Sequence, residues 1–243
     1  MDKIEIYIEK IKEHKLTSII TSVQFLVTFV ILATIIIASL KYQASLTSRG
    51  RPPAIYMIYK QSFLDLIAIK NIYVSTYGDY LYSPTFPFII IPFAILPNFI
   101  GALLWDIVSA LALLFATRLL PLSDWKKFLV FAVIVLEAVV ALQNFQVNAL
   151  AAALMIFTYA AFEKDKTFLA ALLVAVGFFI KLYGLGFAVL FLFYPHKKKF
   201  LIYLASLCVI LFLLPLLVMK FDFNHLVFLY HKWYAMLDHT EDT

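Results

Sequence analysis

The sequence predicts an all-α integral membrane protein, a polytopic helical bundle of about seven transmembrane helices. Three observations carry that reading. Of the 243 residues, 64% are hydrophobic and only 14% are charged, where a soluble domain carries about a quarter charged. The apolar residues gather in runs of the roughly 20 residues that a bilayer crossing needs. The basic residues fall in short clusters between those runs, as topology signals do. A soluble fold could not keep a polar outside with 24 Phe and so few charges; a bilayer removes that constraint.

The formal charge of +5 does not point to nucleic acid, because it is dispersed among the inter-helical clusters. Cys208, the sole cysteine, has no internal disulfide partner. Residues 1–16 read as a cytoplasmic amphipathic segment, with Ile4, Ile8 and Ile11 at i, i+4, i+7 among four Lys and three Glu. The transmembrane domain runs over 17–219. Its first span, Ser18 to Leu40, is too long for a signal-peptide core and lacks a small-residue cleavage site, so it is an uncleaved anchor. A polar outer loop follows over 41–83. It holds Pro52, Pro53 and an aromatic-rich helical piece from Ile55 to Lys70 suited to the interface.

From Thr85 the chain is apolar again, but Pro87, Pro92 and Pro97 interrupt it. A short broken segment to Pro97 followed by a span from Asn98 to Leu119 fits better than one straight helix of about 53 Å. The sequence leaves open whether the broken segment crosses. Phe128 to Phe162 has a polar middle at Gln143, Asn144, Gln146 and Asn148, which predicts a hairpin turning near Asn144. Phe168 to Tyr194 is flanked on both sides by lysines, which predicts a second hairpin of two short helices turning near Lys181–Gly184. Lys199 to Met219 is the last span, and residues 220–243 form an interfacial aromatic tail. This scheme places 12 of the 20 basic residues in the cytoplasm together with the N-terminus, and it puts the 41–83 loop, the amide-rich turn and the Lys181 turn on the outer face.

Three ionisable residues interrupt apolar runs: Asp106, Glu137 and Lys181. Such residues are costly in lipid and face a polar interior. A salt bridge between Lys181 and one acid, or an anionic ligand at Lys181, would each account for them. Lys181 stands among Gly177, Gly184 and Gly186, which permit close approach of a backbone or a ligand. Among the outer-loop acids, Asp65 and Asp79 could serve as general base toward a sugar hydroxyl, or be solvated loop acids. P-loop, Gly-rich dinucleotide and metal-ligand patterns are absent.

Five short motifs occur in a suggestive order: Tyr59–Phe63, Tyr82-Ser83-Pro84-Thr85-Phe86 running into Pro92–Pro97, Leu104-Trp105, Gln146-Val147-Asn148-Ala149-Leu150, and Phe179-Ile180-Lys181-Leu182-Tyr183. Together they resemble glycosyltransferase family 87 in its Bacteroidetes form. The resemblance implies a GT-C fold with its site opening on the outer face of the bacterial cytoplasmic (inner) membrane. It implies transfer of a sugar, often mannose, from a polyprenyl-phosphate donor to a lipid-linked or glycan acceptor, with membrane lipid around it and no cofactor, metal or nucleic acid. Lys181 would hold the donor phosphate and Asp79 or Asp65 would act as base. Gln146, Asn148, Tyr82 and Ser83 would bind sugar hydroxyls or fix the fold. Two departures point to the alternative, a non-catalytic or truncated subunit with a scaffolding or lipid-binding role. Ile55 stands where the family's loop acid is expected, and the chain stops near Trp233 where members commonly continue.

Overall fold

The computed structural model describes residues 22–239; the amphipathic reading of 1–16 and the first residues of the first span lie outside them. Helix α1 (Val23–Arg49) starts where the Ser22 hydroxyl accepts the Phe25 N–H and ends at Gly50, whose φ of 64° favours glycine. Its 27 residues rise about 40 Å, so the helix continues past Leu40 and its last turns stand clear of a 30 Å apolar core. Pro53 then opens α2 (Ala54–Ile67). Helix α3 (Pro87–Ala94) contains Pro92. At eight residues it rises about 12 Å, too little to cross.

Helix α4 (Asn98–Arg118) forms the centre, with Trp105, Asp106 and Ser109 all fully buried. Helices α5 (Asp124–Gln143) and α6 (Asn148–Glu163) make the hairpin expected at Asn144, turning through Phe145 at φ 55°. Helix α7 (Thr167–Ile180) breaks at Lys181, whose backbone is extended. The return arm, Leu182–Phe193, is the second short helix of the expected hairpin and is wound as a 3-10 helix. Runs of that length are uncommon. Two poor helix formers, Gly184 and Gly186, open the arm, and Gly184 lies directly on the backbone of Gly177. Helix α8 (Lys197–Leu213) continues as a short 3-10 turn to Leu217, and α9 (Phe223–His239) completes the described chain.

The outside of the bundle is apolar. Along α1, Phe25, Phe29, Leu32, Ile36 and Leu40 form an exposed stripe, while Leu26, Val30, Ala38 and Tyr42 face inward. That inversion of the soluble pattern is what a lipid-bathed helix requires. Three segments are long and apolar enough to cross on their own: α1, α4, and α8 with its 3-10 continuation. The other four helical segments of the seven-span scheme are shorter or more charged. Alanines pave the seams between α4, α6 and α7, with Ala116, Ala149, Ala153, Ala170, Ala171 and Ala175 buried, and let the backbones close.

The hairpins sort the loops between two ends. At one end Asp165 meets His196 at 3.6 Å, Tyr194 donates to Glu163, and Arg118 pairs with Asp124 at 3.3 Å. At the other, the Trp105 indole donates to the Phe145 carbonyl at 3.1 Å, and Thr85 donates to the Leu211 carbonyl at 2.8 Å.

Candidate functional site

Lys181 sits where α7 stops. Its own N–H donates to the Gly177 carbonyl and its carbonyl accepts from Gly184, both at 2.8 Å, which fixes the turn. Fourteen residues of α7 rise about 21 Å and sixteen of α6 about 24 Å. Both are shorter than a 30 Å apolar core, and Lys181 and Asn148 stand at the same end of the bundle, joined by a hydrogen bond. The loop of residues 70–86 fills the space above. Ser83, fully buried, donates its hydroxyl to the Phe179 carbonyl, one of the orphan acceptors at the end of α7.

The half-buried Lys181 ammonium donates to Asn148 Oδ1 at 2.6 Å, and Asn148 Nδ2 donates to Gln146 Oε1 at 2.9 Å. The Tyr183 ring lies under the ammonium, 5.4 Å to its centroid. Tyr82 stacks on Phe86 at 4.6 Å, exchanges a 2.9 Å hydroxyl contact with Tyr59, and lies within electrostatic reach of Tyr183. Tyr59 reaches the backbone at Val147, tying α2 to the α5–α6 turn. Burial holds the Tyr59, Tyr80 and Tyr82 hydroxyls above the ordinary phenol range, so they stay neutral. Among the described residues no carboxylate lies within ion-pair distance of Lys181. The arrangement is therefore one unneutralised cation held by an amide and framed by aromatic rings, a set of groups suited to an anionic headgroup with apolar or sugar faces beside it.

A second set of contacts supports the roof. On α2, Tyr56 donates to the Phe93 carbonyl at 2.9 Å and, one turn on, Lys60 donates to the Leu96 carbonyl at 2.8 Å. Burial lowers the Lys60 pKa. These carbonyls lie at the end of α3, where a cation also suits the helix dipole. Gly101 on α4 leaves the notch that Tyr56 and Phe93 occupy: a Cβ there would stand 2.0 Å from the Tyr56 hydroxyl.

The structure thus brings together Lys181, Asn148, Gln146, Tyr82 and Ser83. The acids stay apart from them. Asp79 is exposed on the 70–86 loop, and Asp65 is buried and accepts from Gln61 Nε2 at 2.9 Å. Asp106 is fully buried with neither carboxylate oxygen hydrogen-bonded. Glu137 is exposed on the outer side of α5 between Val133, Leu136 and Val140, not turned toward a polar interior. The partner of Lys181 is an amide, so neither intramembrane acid makes the salt bridge that sequence reading kept open. Sequence reading gave no role to Tyr59 or Tyr183. Tyr183 sits two residues after Lys181, and that adjacency was the available signal.

Among the described residues no three His, Cys, Asp or Glu converge as metal ligands. No curated protein and no solved structure matches the chain. The model of glycosyltransferase family 87 matches residues 80–243, a stretch that contains Ser83, Gln146, Asn148 and Lys181 and leaves the Tyr59–Phe63 motif before it. Its match spans about two thirds of the sequence and includes the helices that bring Lys181, Asn148 and Gln146 together, so this chain belongs to glycosyltransferase family 87.

Proposed function

We propose that this membrane glycosyltransferase takes a sugar, mannose by resemblance, from a polyprenyl-phosphate donor and passes it to a lipid-linked or glycan acceptor on the outer face of the bacterial cytoplasmic membrane. The single observation that carries the reading is the Lys181 ammonium, half-buried where α7 ends, with no carboxylate beside it among the described residues. A lipid phosphate that reaches this end of the bundle from the bilayer brings a negative charge, and the ammonium offsets it. During transfer the acceptor hydroxyl attacks the anomeric carbon, the bond from that carbon to the phosphate oxygen breaks, and negative charge grows on the departing phosphate. Lys181 stabilises that charge where it develops. Asn148 holds the ammonium in place, and Gln146 orients Asn148.

The proton of the acceptor hydroxyl needs a base. Asp79 fits better than Asp65: it makes no hydrogen bond among the described residues and stands four residues before Ser83 on the loop above Lys181, whereas Asp65 is buried and engaged with Gln61. A second reading, a lipid-phosphate-binding subunit that does not transfer, is favoured by the same lack of a carboxylate at Lys181. The test is transfer from polyprenyl-phosphate mannose by purified protein in detergent. Lys181→Ala should abolish transfer with the helical content intact, and Asp79→Asn should reduce it at least a hundredfold while Asp65→Asn does not. Transfer undiminished in Lys181→Ala removes the lysine from the site. Donor binding without turnover by the wild type selects the second reading.

A further inference from the structure

A recess whose lining does not include Lys181 lies at the same end of the bundle. The last turns of α1, the start of α2 and the Asn144–Phe145 turn line an open recess of about 170 Å³. Lys41, Ser48 and Arg49 project from α1, Asn144 closes one side, and Ile55 brings no charge to the wall. No acid lines the recess. Neither Lys41 nor Arg49 has an ion-pair partner among the described residues, although Arg118 and Lys127 at the opposite end share Asp124.

Position narrows the ligand. Lys41 and Arg49 lie eight residues apart, on the part of α1 that rises beyond its apolar stripe, which ends at Leu40. Eight residues cover about 12 Å, enough to span the roughly 5–8 Å of headgroup region on one side of a bilayer. We propose that this recess binds a phosphate-bearing anion, with Lys41 and Arg49 on its oxygens and Asn144 and Ser48 at its edge. Arg49 supplies a planar fork that takes two oxygens of one phosphate, and Lys41 supplies a point charge. The ligand is either the phosphate of an anionic lipid or a soluble phosphate. None of Lys181, Asn148 and Gln146 lines this site, and its existence does not rest on the transfer reading.

The experiment uses the full chain in phosphatidylcholine nanodiscs. Retention of phosphatidylglycerol is followed by native mass spectrometry, and binding of inorganic phosphate is titrated separately. Phosphatidylglycerol should be retained by the wild type. The double variant K41Q/R49Q should hold it about thirtyfold more weakly, and the charge-keeping K41R/R49K should recover only part of that loss, because the fork at position 49 is gone. K198Q, a cation at the other end, should leave it unchanged. Binding of inorganic phosphate, lost in K41Q/R49Q, with no preference for phosphatidylglycerol assigns the recess to a soluble phosphate. Unchanged binding of both ligands in K41Q/R49Q overturns the proposal, as does an equal loss in K198Q. An unaltered circular dichroism spectrum shows that the double variant is folded. Lys181→Ala, which probes the donor site, should leave this binding intact, so failure of the two readings can be told apart.

Discussion

Gly184→Ala is the sharpest test of the hairpin that presents Lys181. A Cβ on Gly184 would stand 2.4 Å from the Gly177 carbonyl carbon, 2.5 Å from its oxygen and 2.8 Å from the Phe178 nitrogen. All three are backbone atoms of α7, so no side chain can swing aside. To reach an ordinary contact the 3-10 arm must move off α7 by about 1 Å, an overpacking that costs about 1–3 kcal/mol. Over a chain of this size that lowers the midpoint of thermal unfolding by about 2–12 °C. The same displacement would pull on the Lys181 turn and on the Ser83 bond to Phe179, so transfer should fall as well. Two neighbours serve as controls. Gly186 has nothing within 4 Å of its Cβ position, and a Cβ on Gly177 would find only the Gly184 Cα at 3.7 Å. Gly186→Ala should leave the midpoint unchanged, and Gly177→Ala should hold or raise it through better helix propensity. Thermal unfolding in one detergent, followed by circular dichroism, ranks the three. Equal midpoints for all three variants, or a larger loss at Gly177 than at Gly184, would refute the packing described here.

Gly101→Ala places a Cβ 2.0 Å from the Tyr56 hydroxyl and 2.3 Å from the Phe93 carbonyl, and should lower the thermal midpoint comparably; Tyr56→Phe added to it should recover part of the loss, because one of the two clashing atoms is gone. Asp106→Asn keeps the shape of a buried side chain whose two oxygens are unpartnered and removes the risk of an isolated charge costing several kcal/mol. It should leave the thermal midpoint unchanged or higher and leave transfer intact, whereas a loss of transfer would give Asp106 a role in chemistry. Thr85→Val deletes both the bond to the Leu211 carbonyl and the hydroxyl contact with Tyr230 on α9, each 2.8 Å. At about 1 kcal/mol per bond, limited proteolysis should cut at α9 several-fold faster than in the wild type.

Much of the arrangement was legible in the order of polar and apolar residues. Three prolines in 87–97 broke the helix there because proline removes a backbone donor, and four amides near 144 marked a turn because they cannot face lipid. Lysines on both flanks of 168–194 forced a hairpin at Lys181. What could not be read is pairing over distance. Nothing local joins Asn148 to Lys181 or Ser83 to Phe179, which lie 33 and 96 residues apart. Helix α5 is apolar on nearly every side, so its sequence did not say that Glu137 would point outward. The 3-10 winding was hidden too, because Leu182–Phe193 is as apolar as an α-helical span and its glycines act through contact with α7. The Lys41–Arg49 recess escaped notice because its walls come from three separate segments.

That winding also settles where three charges end up. At about 2.0 Å per residue the twelve residues of the return arm reach about 24 Å, against about 18 Å for the same residues wound as an α-helix. The other arm of the hairpin, α7, measures about 21 Å, so the stretched form brings the chain fully back to its starting level. The shorter form would stop about 3 Å early. The longer reach thus returns Lys197-Lys198-Lys199 to the end of the bundle that bears Asp165 and His196, and by the same lengths two residues, about 4 Å, would have to be lost before the arm fell short of α7.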